Sequence, residues 1–108
     1  MEEQDRLRDL YAYEILDTDP EEPFDDIVRL AALVCGTRWA RVNFIDEQRQ
    51  WTKAVLGMDD ADTPRQDAFC SHTIVAPDGF MLVEDALADT RFARNPLVLD
   101  DPNIRFYA

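Results

Sequence analysis

The fold is decided by the stretch Trp39-Ala40-Arg41-Val42-Asn43-Phe44-Ile45-Asp46-Glu47-Gln48-Arg49-Gln50-Trp51-Thr52-Lys53-Ala54-Val55-Leu56. Its first part alternates, with Ala40, Val42 and Phe44 on one face, and the run that starts at Trp51 repeats the pattern. Alternation with a period of two is typical of a half-buried β-strand. The short polar segment 46–49 between the runs therefore predicts an antiparallel hairpin whose apolar face packs on a helix.

The segment before the hairpin supplies that helix. Its apolar residues recur at helical spacing and form one stripe: Phe24, Ile27, Val28, Ala31, Val34 and Cys35. The run Asp19-Pro20-Glu21-Glu22 is typical of a helix start with an acidic N-cap followed by proline. Gly36 can adopt the left-handed conformation that ends a helix. This pattern predicts that Cys35 is a small core residue and not a reactive thiol.

A further amphipathic helix is predicted at the N-terminus, over about residues 2–13. Leu7, Leu10 and Tyr11 recur at intervals of three and four, Ile15 follows four positions later, and the residues between them are mostly charged. Its apolar stripe can cover its own domain, a partner helix in a dimer, or an upstream domain; its own domain is the plainest choice. We therefore divide the chain into an N-terminal helix and connector, residues 1–16, and one domain, residues 17–108.

The second half of the chain predicts shorter elements. Residues 58–64 show no period and predict a loop, whereas 66–73 predict one or two helical turns capped by Thr63 or Asp67. Residues 80–83 and 104–107 predict strands, and 86–92 and 95–97 predict helical turns. Because the last apolar run is followed only by Ala108, we expect the intact protein to be longer.

Composition restricts the classes of partner. The 108 residues suit one domain, and 46% hydrophobic content is enough for a packed core. A formal net charge of −12 repels nucleic acid and anionic membranes, so neither is an expected partner. The acidic N-terminus is unlike a signal peptide, and no window matches a membrane span. Two cysteines without a cysteine-rich framework predict reduced thiols and a cytoplasmic protein.

The run Phe69-Cys70-Ser71-His72 contains the only histidine and one of the two cysteines. Residues two apart on a helix point about 200° away from each other, so a local Cys70–His72 catalytic pair is disfavoured. A zinc site would show further ligand pairs, and a lone histidine is more often structural than a haem ligand. We therefore identify no catalytic residue and no metal ligand, and these residues do not tell whether the chain binds a cofactor.

Several motifs in register resemble a known family. They are Leu7…Tyr11…Ile15-Leu16-Asp17-Thr18, Phe24-Asp25-Asp26-Ile27, Val42…Ile45-Asp46…Arg49-Gln50-Trp51…Lys53…Gly57, Thr63-Pro64-Arg65, Phe69-Cys70-Ser71-His72-Thr73-Ile74 and Val83-Glu84-Asp85-Ala86…Asp89-Thr90-Arg91-Phe92…Asn95-Pro96-Leu97-Val98. Over nearly the whole chain they resemble the GAF domains that lie N-terminal in bacterial sensor histidine kinases and diguanylate cyclases. The resemblance implies an α+β fold, with an antiparallel sheet of about six strands flanked by helices. The chain has room for four strands, so it resembles the first two-thirds of that domain, without its last strands and closing helix.

The resemblance also implies a ligand pocket between the sheet and segments 58–74 and 86–98. The candidate ligand-binding residues are Phe44, Trp51, Lys53, Phe69, Cys70, His72, Asp85 and Phe92. Aromatic rings would supply contact area, and Lys53, His72 and Asp85 the polar contacts that orient a ligand. Pigment-binding GAF domains carry a cysteine next to a histidine, whereas here Ser71 separates the two.

By resemblance, the chain is a non-catalytic sensory and regulatory module of a bacterial signalling protein. It would bind an unidentified small molecule, form a homodimer through its N-terminal helix, and relay binding to an output kinase or cyclase domain by a population shift. One alternative is a dimerisation or interaction module without a ligand. Another is a thiol-dependent reductase of the GAF fold, although the cysteine pattern of those enzymes is not reproduced here.

Overall fold

The computed structural model describes residues 2–108 and has the predicted α+β architecture. The described residues form four helices and three strands: α1 Glu3–Ala12, α2 Glu22–Cys35, β1 Ala40–Ile45, β2 Arg49–Leu56, β3 Thr63–Pro64, α3 Cys70–Thr73 and α4 Pro96–Leu99, with a 3₁₀ turn at Arg65–Asp67 between β3 and α3. They group into two compact units, one ending at Arg65 and the other spanning Gln66–Ala108. No helix in residues 2–108 is long and apolar enough to cross a bilayer.

The predicted hairpin is confirmed as the centre of the first unit. Strands β1 and β2 pair antiparallel from Ala40 opposite Leu56 to Ile45 opposite Gln50. The turn is closed by the Asp46 carboxylate, which accepts hydrogen bonds at 2.8 Å from the backbone N–H groups of Gln48 and Arg49. Side chains that accept from the backbone in this way favour turns over continued strands.

Strand β3 was not predicted, because it lies in the segment read as a loop. It adds two residues to the free edge of β2, with Thr63 opposite Gln50 and Pro64 opposite Arg49. Two residues are too few to show an alternating pattern. Proline lacks a backbone N–H and is therefore tolerated at a sheet edge, where that group has no partner to reach.

A β-bulge interrupts the hairpin at Lys53. Val42 pairs with Ala54 and Asn43 pairs with Thr52, so Lys53 is the extra residue of β2 without a partner in β1. A bulge changes the direction in which the side chains near it point. It lies within a run of five consecutive buried residues, from Gln50 to Ala54, in a strand whose alternation predicted burial of every second residue.

Helix α2 is confirmed, but its apolar stripe is only partly buried. Of the predicted stripe, Val28 is buried and Phe24 is half-buried, whereas the remaining members are exposed: Ile27, Ala31, Val34 and Cys35. The other buried residue of α2 is Ala32, which the prediction did not include. The prediction of Cys35 as a core residue is therefore wrong. The stripe is wider than the line along which α2 meets the sheet, and Cys35 lies in the last turn, beyond Ala32. The predicted C-cap is confirmed, since Gly36 is left-handed with φ 66°.

The start of α2 differs from the prediction. The helix begins at Glu22, and the proline in its first turn is Pro23 and not Pro20. Thr18 and Asp19 instead belong to the connector between α1 and α2, where their oxygens contact the Lys53 ammonium. Proline suits the first helical position because that position needs no N–H donor. Both prolines satisfy this local rule, so the sequence did not distinguish them.

The predicted N-terminal helix is confirmed as α1. Leu10 is its buried residue, and Tyr11 is 47% exposed. The connector from Tyr13 to Glu21 contains two non-glycine residues with left-handed backbone, Glu14 with φ 51° and Asp17 with φ 60°. Residues other than glycine rarely adopt this backbone conformation, because Cβ then approaches the following carbonyl oxygen.

The second unit is built around an apolar core. Its buried residues are Phe69, Met81, Val83, Ala86, Phe92 and Val98, and Leu97, Ile104 and Tyr107 pack against them. The predicted helical turns at 66–73 are confirmed by the 3₁₀ turn Arg65–Asp67 and by α3. The predicted cap by Thr63 or Asp67 is wrong for α3, whose N-cap is Phe69 and makes no side-chain hydrogen bond. The side chain of Asn95 caps α4 by accepting a hydrogen bond from the N–H of Leu97 at 2.8 Å.

The predicted strands at 80–83 and 104–107 are wrong as regular strands. They meet in one antiparallel bridge, in which Val83 and Tyr107 exchange backbone hydrogen bonds of 2.8 and 2.9 Å. The next backbone groups have other partners: the carbonyl of Arg105 accepts from the N–H of Ala86 at 2.6 Å, and the N–H of Ile104 donates to the carbonyl of Leu97 at 2.8 Å. These competing bonds end the ladder after one pair.

Candidate ligand-binding sites

The eight predicted ligand-binding residues are divided between the two units. Phe44, Trp51 and Lys53 belong to the first unit, and the other five belong to the second: Phe69, Cys70, His72, Asp85 and Phe92. Their assignment to one pocket remains a prediction.

In the first unit, the bulge residue Lys53 is a buried cation with a full set of partners. The side chain is 0% exposed, and its Nζ lies 2.6 Å from Oε2 of Glu21. Nζ also donates to the hydroxyl of Thr18 at 2.7 Å and to the carbonyl oxygen of Asp19, and it lies 5.5 Å from the centre of the Phe24 ring. All three oxygens come from the connector before α2. Lys53 therefore holds the connector to the sheet.

The aromatic pair beside Lys53 follows from the strand pairing. Phe44 of β1 lies opposite Trp51 of β2, and their ring centres are 6.4 Å apart at an interplanar angle of 31°. Cross-strand aromatic pairs stabilise a hairpin through their contact area. Trp51 is 8% exposed, so its ring contributes mainly to the core of the first unit.

In the second unit, three of the predicted residues form an aromatic cluster. Phe69 and Phe92 stack with ring centres 4.1 Å apart, and the His72 ring meets Phe92 edge-on at 4.9 Å. The two phenylalanines are buried in the core, whereas His72 is exposed. Asp85 is also exposed, and its carboxylate accepts a hydrogen bond from the N–H of Leu87 at 3.1 Å.

Cys70 and His72 contact different neighbours, as helical spacing predicted. The Cys70 Sγ atom lies 3.3 Å from the hydroxyl of Tyr107, which is also hydrogen-bonded to the hydroxyl of Thr73 at 2.8 Å. Burial and the adjacent Cys70 raise the pKa of Tyr107. Cys70 therefore belongs to a polar contact at the edge of the second core.

A cavity of about 500 Å³ lies in the first unit, at a place that the sequence reasoning did not single out. Its lining residues come from α1, the hairpin turn, the start of β2, and β3 with the residue before it: Tyr11, Asp46, Glu47, Gln48, Arg49, Asp62, Thr63 and Pro64. Three carboxylates and one guanidinium therefore face the same space. The sequence pattern predicts segment 46–49 only as a turn, although three of its four residues are charged.

Arg49 organises the charges of this cavity. Its guanidinium binds both carboxylate oxygens of Asp17, at 2.7 and 3.0 Å. It also binds Asp46 at 3.0 Å and Asp62 at 2.8 Å. These carboxylates, Asp17 first, raise the pKa of Arg49. The Arg49 side chain thus joins three segments: the connector between α1 and α2, the hairpin turn, and the residues before β3.

The same ion pairs hold the carboxylates in their charged form. The Arg49 guanidinium lowers the pKa of Asp17. Burial acts to raise the pKa of Asp46, but the backbone N–H groups of Gln48 and Arg49 and the Arg49 guanidinium outweigh it, so the net pKa is lowered. At neutral pH the cavity wall therefore carries more negative than positive charge.

A second group of charges lies at the N-terminal end of α1. The Glu3 carboxylate pairs with Arg6 at 2.8 Å and with Arg65 at 2.5 Å. Arg6, and next Arg65, lower the pKa of Glu3 to about 2. Arg6 also donates to the carbonyl of Ile45 at 2.6 Å, and Arg65 to that of Asp46 at 3.2 Å. In residues 2–108, no group of three or more histidine, cysteine, aspartate or glutamate side chains is placed to hold a metal ion.

Comparison with known proteins gave one relative and no family profile. No protein-family profile matches the chain. The chain is 40% identical over 94 residues to a cyclic di-GMP phosphodiesterase of Pseudomonas aeruginosa. The match covers 87% of this chain but only 16% of that protein, so the chain spans about a sixth of the length of this curated relative.

Proposed function

We propose that the chain is a non-catalytic sensory module of the GAF type in a protein of cyclic di-GMP signalling. The observation that carries this proposal is the 40% identity over 94 residues to a cyclic di-GMP phosphodiesterase, of which the match covers only 16%. A segment that makes up so little of an enzyme suits a regulatory role better than the catalytic one. The motifs that resemble GAF domains support the same role.

The cavity beside Arg49 is the proposed ligand site. Its volume of about 500 Å³ lies within the range of roughly 300 to 1,000 Å³ that small-molecule pockets occupy. The half-exposed ring of Tyr11 supplies apolar surface. Arg49 and the carboxylates of Asp46 and Asp62 supply the polar groups that orient a ligand. A ligand that prefers one arrangement of these groups would shift the population of the module toward that arrangement.

A chimeric enzyme tests the sensory role. The segment of the Pseudomonas phosphodiesterase that matches this chain is replaced by this chain, and hydrolysis of cyclic di-GMP is measured for the chimera and for the chain alone. We expect the chimera to hydrolyse cyclic di-GMP and the chain alone not to. Tyr11→Ala in the chimera should change the rate, because the cavity wall is altered, while the catalytic part of the enzyme is untouched.

The matched control is Tyr13→Ala, which removes a tyrosine that is 80% exposed and does not line the cavity. Hydrolysis by the chain alone would contradict the non-catalytic role. Equal rates for the parent chimera and the Tyr11→Ala chimera over a metabolite panel would contradict a sensory cavity at this place.

A further inference from the structure

The N-terminal arm, defined as residues 3–17, contacts the sheet mainly through charged groups. Glu3 pairs with Arg65, Arg6 donates to the carbonyl of Ile45, and Asp17 makes a bidentate pair with Arg49. Only Leu10 of α1 is buried. A helix that buries one apolar residue gains little from the hydrophobic effect, so the ionic contacts decide whether it stays in place.

These ionic contacts are accessible to solvent. The side chains of Arg49 and Arg65 are each 27% exposed, and those of Asp17 and Glu3 are 66% and 43% exposed. Ion pairs at such sites are screened by salt and contribute little individually. The arm is therefore held by several weak contacts.

The connector beyond Asp17 is attached differently. Thr18, Asp19 and Glu21 surround the ammonium group of Lys53, whose side chain is 0% exposed. If these residues left, a buried charge would lose all the oxygens that the structure gives it, which is far more costly than losing an exposed pair. The chain is therefore weakly attached to the sheet up to Asp17 and strongly attached from Thr18 to Glu21.

The strained backbone of the connector lies in the weakly attached arm, before Thr18. Glu14 and Asp17 are both left-handed, and both lie in the arm. Detachment of the arm would let both residues return to ordinary backbone conformations. The strain thus opposes the ionic contacts and lowers the free energy needed to release the arm.

We propose that residues 3–17 detach from the sheet as a unit, with Lys53 fixing the point beyond which the connector stays attached. This inference goes beyond the proposed function, since it does not depend on any signalling role. It also changes the cavity: Tyr11 belongs to the arm, whereas Arg49, Asp46 and Asp62 stay with the body of the first unit. Detachment removes one wall of the cavity, and a ligand that contacts both sides would oppose it.

Amide hydrogen exchange of the full chain, followed by mass spectrometry, tests the proposal at about 0.05 M and about 1 M sodium chloride. Loss of the screened pairs should speed exchange of the α1 amides by about two- to fivefold at high salt. The exchange rate of the β2 amides should stay the same at both salt concentrations. Unchanged or slower exchange of α1 at high salt would overturn the proposal, because it would mean that Leu10 and not the ion pairs holds the arm.

Asp17→Asn gives an independent test at constant salt. Asparagine tolerates the left-handed conformation but cannot form the ion pair with Arg49, so α1 exchange should rise by about two- to fivefold. Asp9→Asn is the matched control, because Asp9 is an exposed carboxylate of α1 that forms no ion pair within residues 2–108. Equal exchange in the two variants, or exchange of α1 at the rate of β2 in every sample, would overturn the proposal. If Asp17→Asn does not fold, the salt series on the parent chain decides.

Discussion

Lys53 brings a positive charge into the interior of the first unit, where the cost of burial must be offset by its partners. Of the three oxygens around its ammonium group, only that of Glu21 carries a full negative charge. Glu21 itself is 54% exposed, so it remains hydrated while it neutralises Lys53. Loss of Glu21 would leave Lys53 as a buried charge without a charged partner, whereas loss of Lys53 would leave Glu21 hydrated.

This inequality predicts the effect of Glu21→Gln. The variant keeps the size of the side chain but leaves Lys53 buried with neutral acceptors, which should lower the free energy of unfolding by about 1–3 kcal/mol. Urea denaturation measures the change. Glu22→Gln, one residue later on an exposed helix position, should stay within about 0.5 kcal/mol of the parent chain. Similar values for the two variants would show that the contact with Lys53 contributes no stability.

At this scale, the sequence predicted some residues well and others not at all. Alternation placed Phe44 and Trp51 correctly in the two strands of one hairpin, but it did not predict that they lie opposite each other. The partners of Arg49 are residues 17, 46 and 62, and no local spacing relates three such distant positions. The exposure of Cys35 was missed for a related reason, since helical periodicity shows which face is apolar but not how much of it is covered.

At the scale of elements, Gly57 ends β2 where the chain passes close to the segment before β1. Its φ is +84°, and a Cβ added there would lie 2.8 Å from Cδ1 of Trp39 and even closer to the carbonyl oxygen of Arg38. The position therefore requires glycine for two reasons, the backbone conformation and the lack of space.

We expect Gly57→Ala to lower the free energy of unfolding by more than about 2 kcal/mol, since a left-handed alanine alone costs about 1–2 kcal/mol and the clash adds to it. Gly36→Ala is the matched control, because Gly36 has φ +66° and no atom within 4 Å of the added Cβ. The difference between the two urea midpoints isolates the clash. Equal midpoints would mean that Trp39 and Arg38 move aside without cost.

The elements themselves were predictable in proportion to their length. The helices α1 and α2 and the hairpin have enough residues to show a period, and all were found. The two-residue β3 and the single Val83–Tyr107 bridge were not, because their pairing is decided by the partners of the flanking backbone groups and not by a pattern of side chains. The predicted strands at 80–83 and 104–107 failed for this reason.

On the scale of the whole molecule, the net charge of −12 has opposing effects on stability. Mutual repulsion of the carboxylates destabilises the folded chain at neutral pH, and protonation relieves it. Four carboxylates instead stabilise the folded chain at neutral pH, because their pKa values are lowered in the folded state: Glu3, Asp17, Asp46 and Asp89. For Glu3 and Asp89 the pKa is lowered to about 2.

We therefore predict that stability falls on the acidic side. Glutamate and aspartate have ordinary pKa values of 4.5 and 3.8, so the four carboxylates contribute stability above those values and lose it as the pH falls toward 2. Urea midpoints at constant ionic strength should drop between about pH 4.5 and about pH 2.5. In Glu3→Gln this drop should be smaller, whereas in Glu2→Gln it should be unchanged. A parallel drop in Glu3→Gln would contradict the role of its pairs with Arg6 and Arg65.

The bulge at Lys53 also sets the phase of the sheet. Ala54 pairs with Val42 and Thr52 pairs with Asn43, and these two partners are neighbours on β1. Thr52 and Ala54 therefore point to opposite faces of the sheet although they are two residues apart. The extra residue therefore shifts the inside–outside alternation of β2 by one position, as an inserted base shifts a reading frame. Loss of Lys53 would let β2 alternate regularly with the same partners in β1. One further residue gained between Thr52 and Ala54 would instead require a wider bulge, or every later side chain of the strand would change faces.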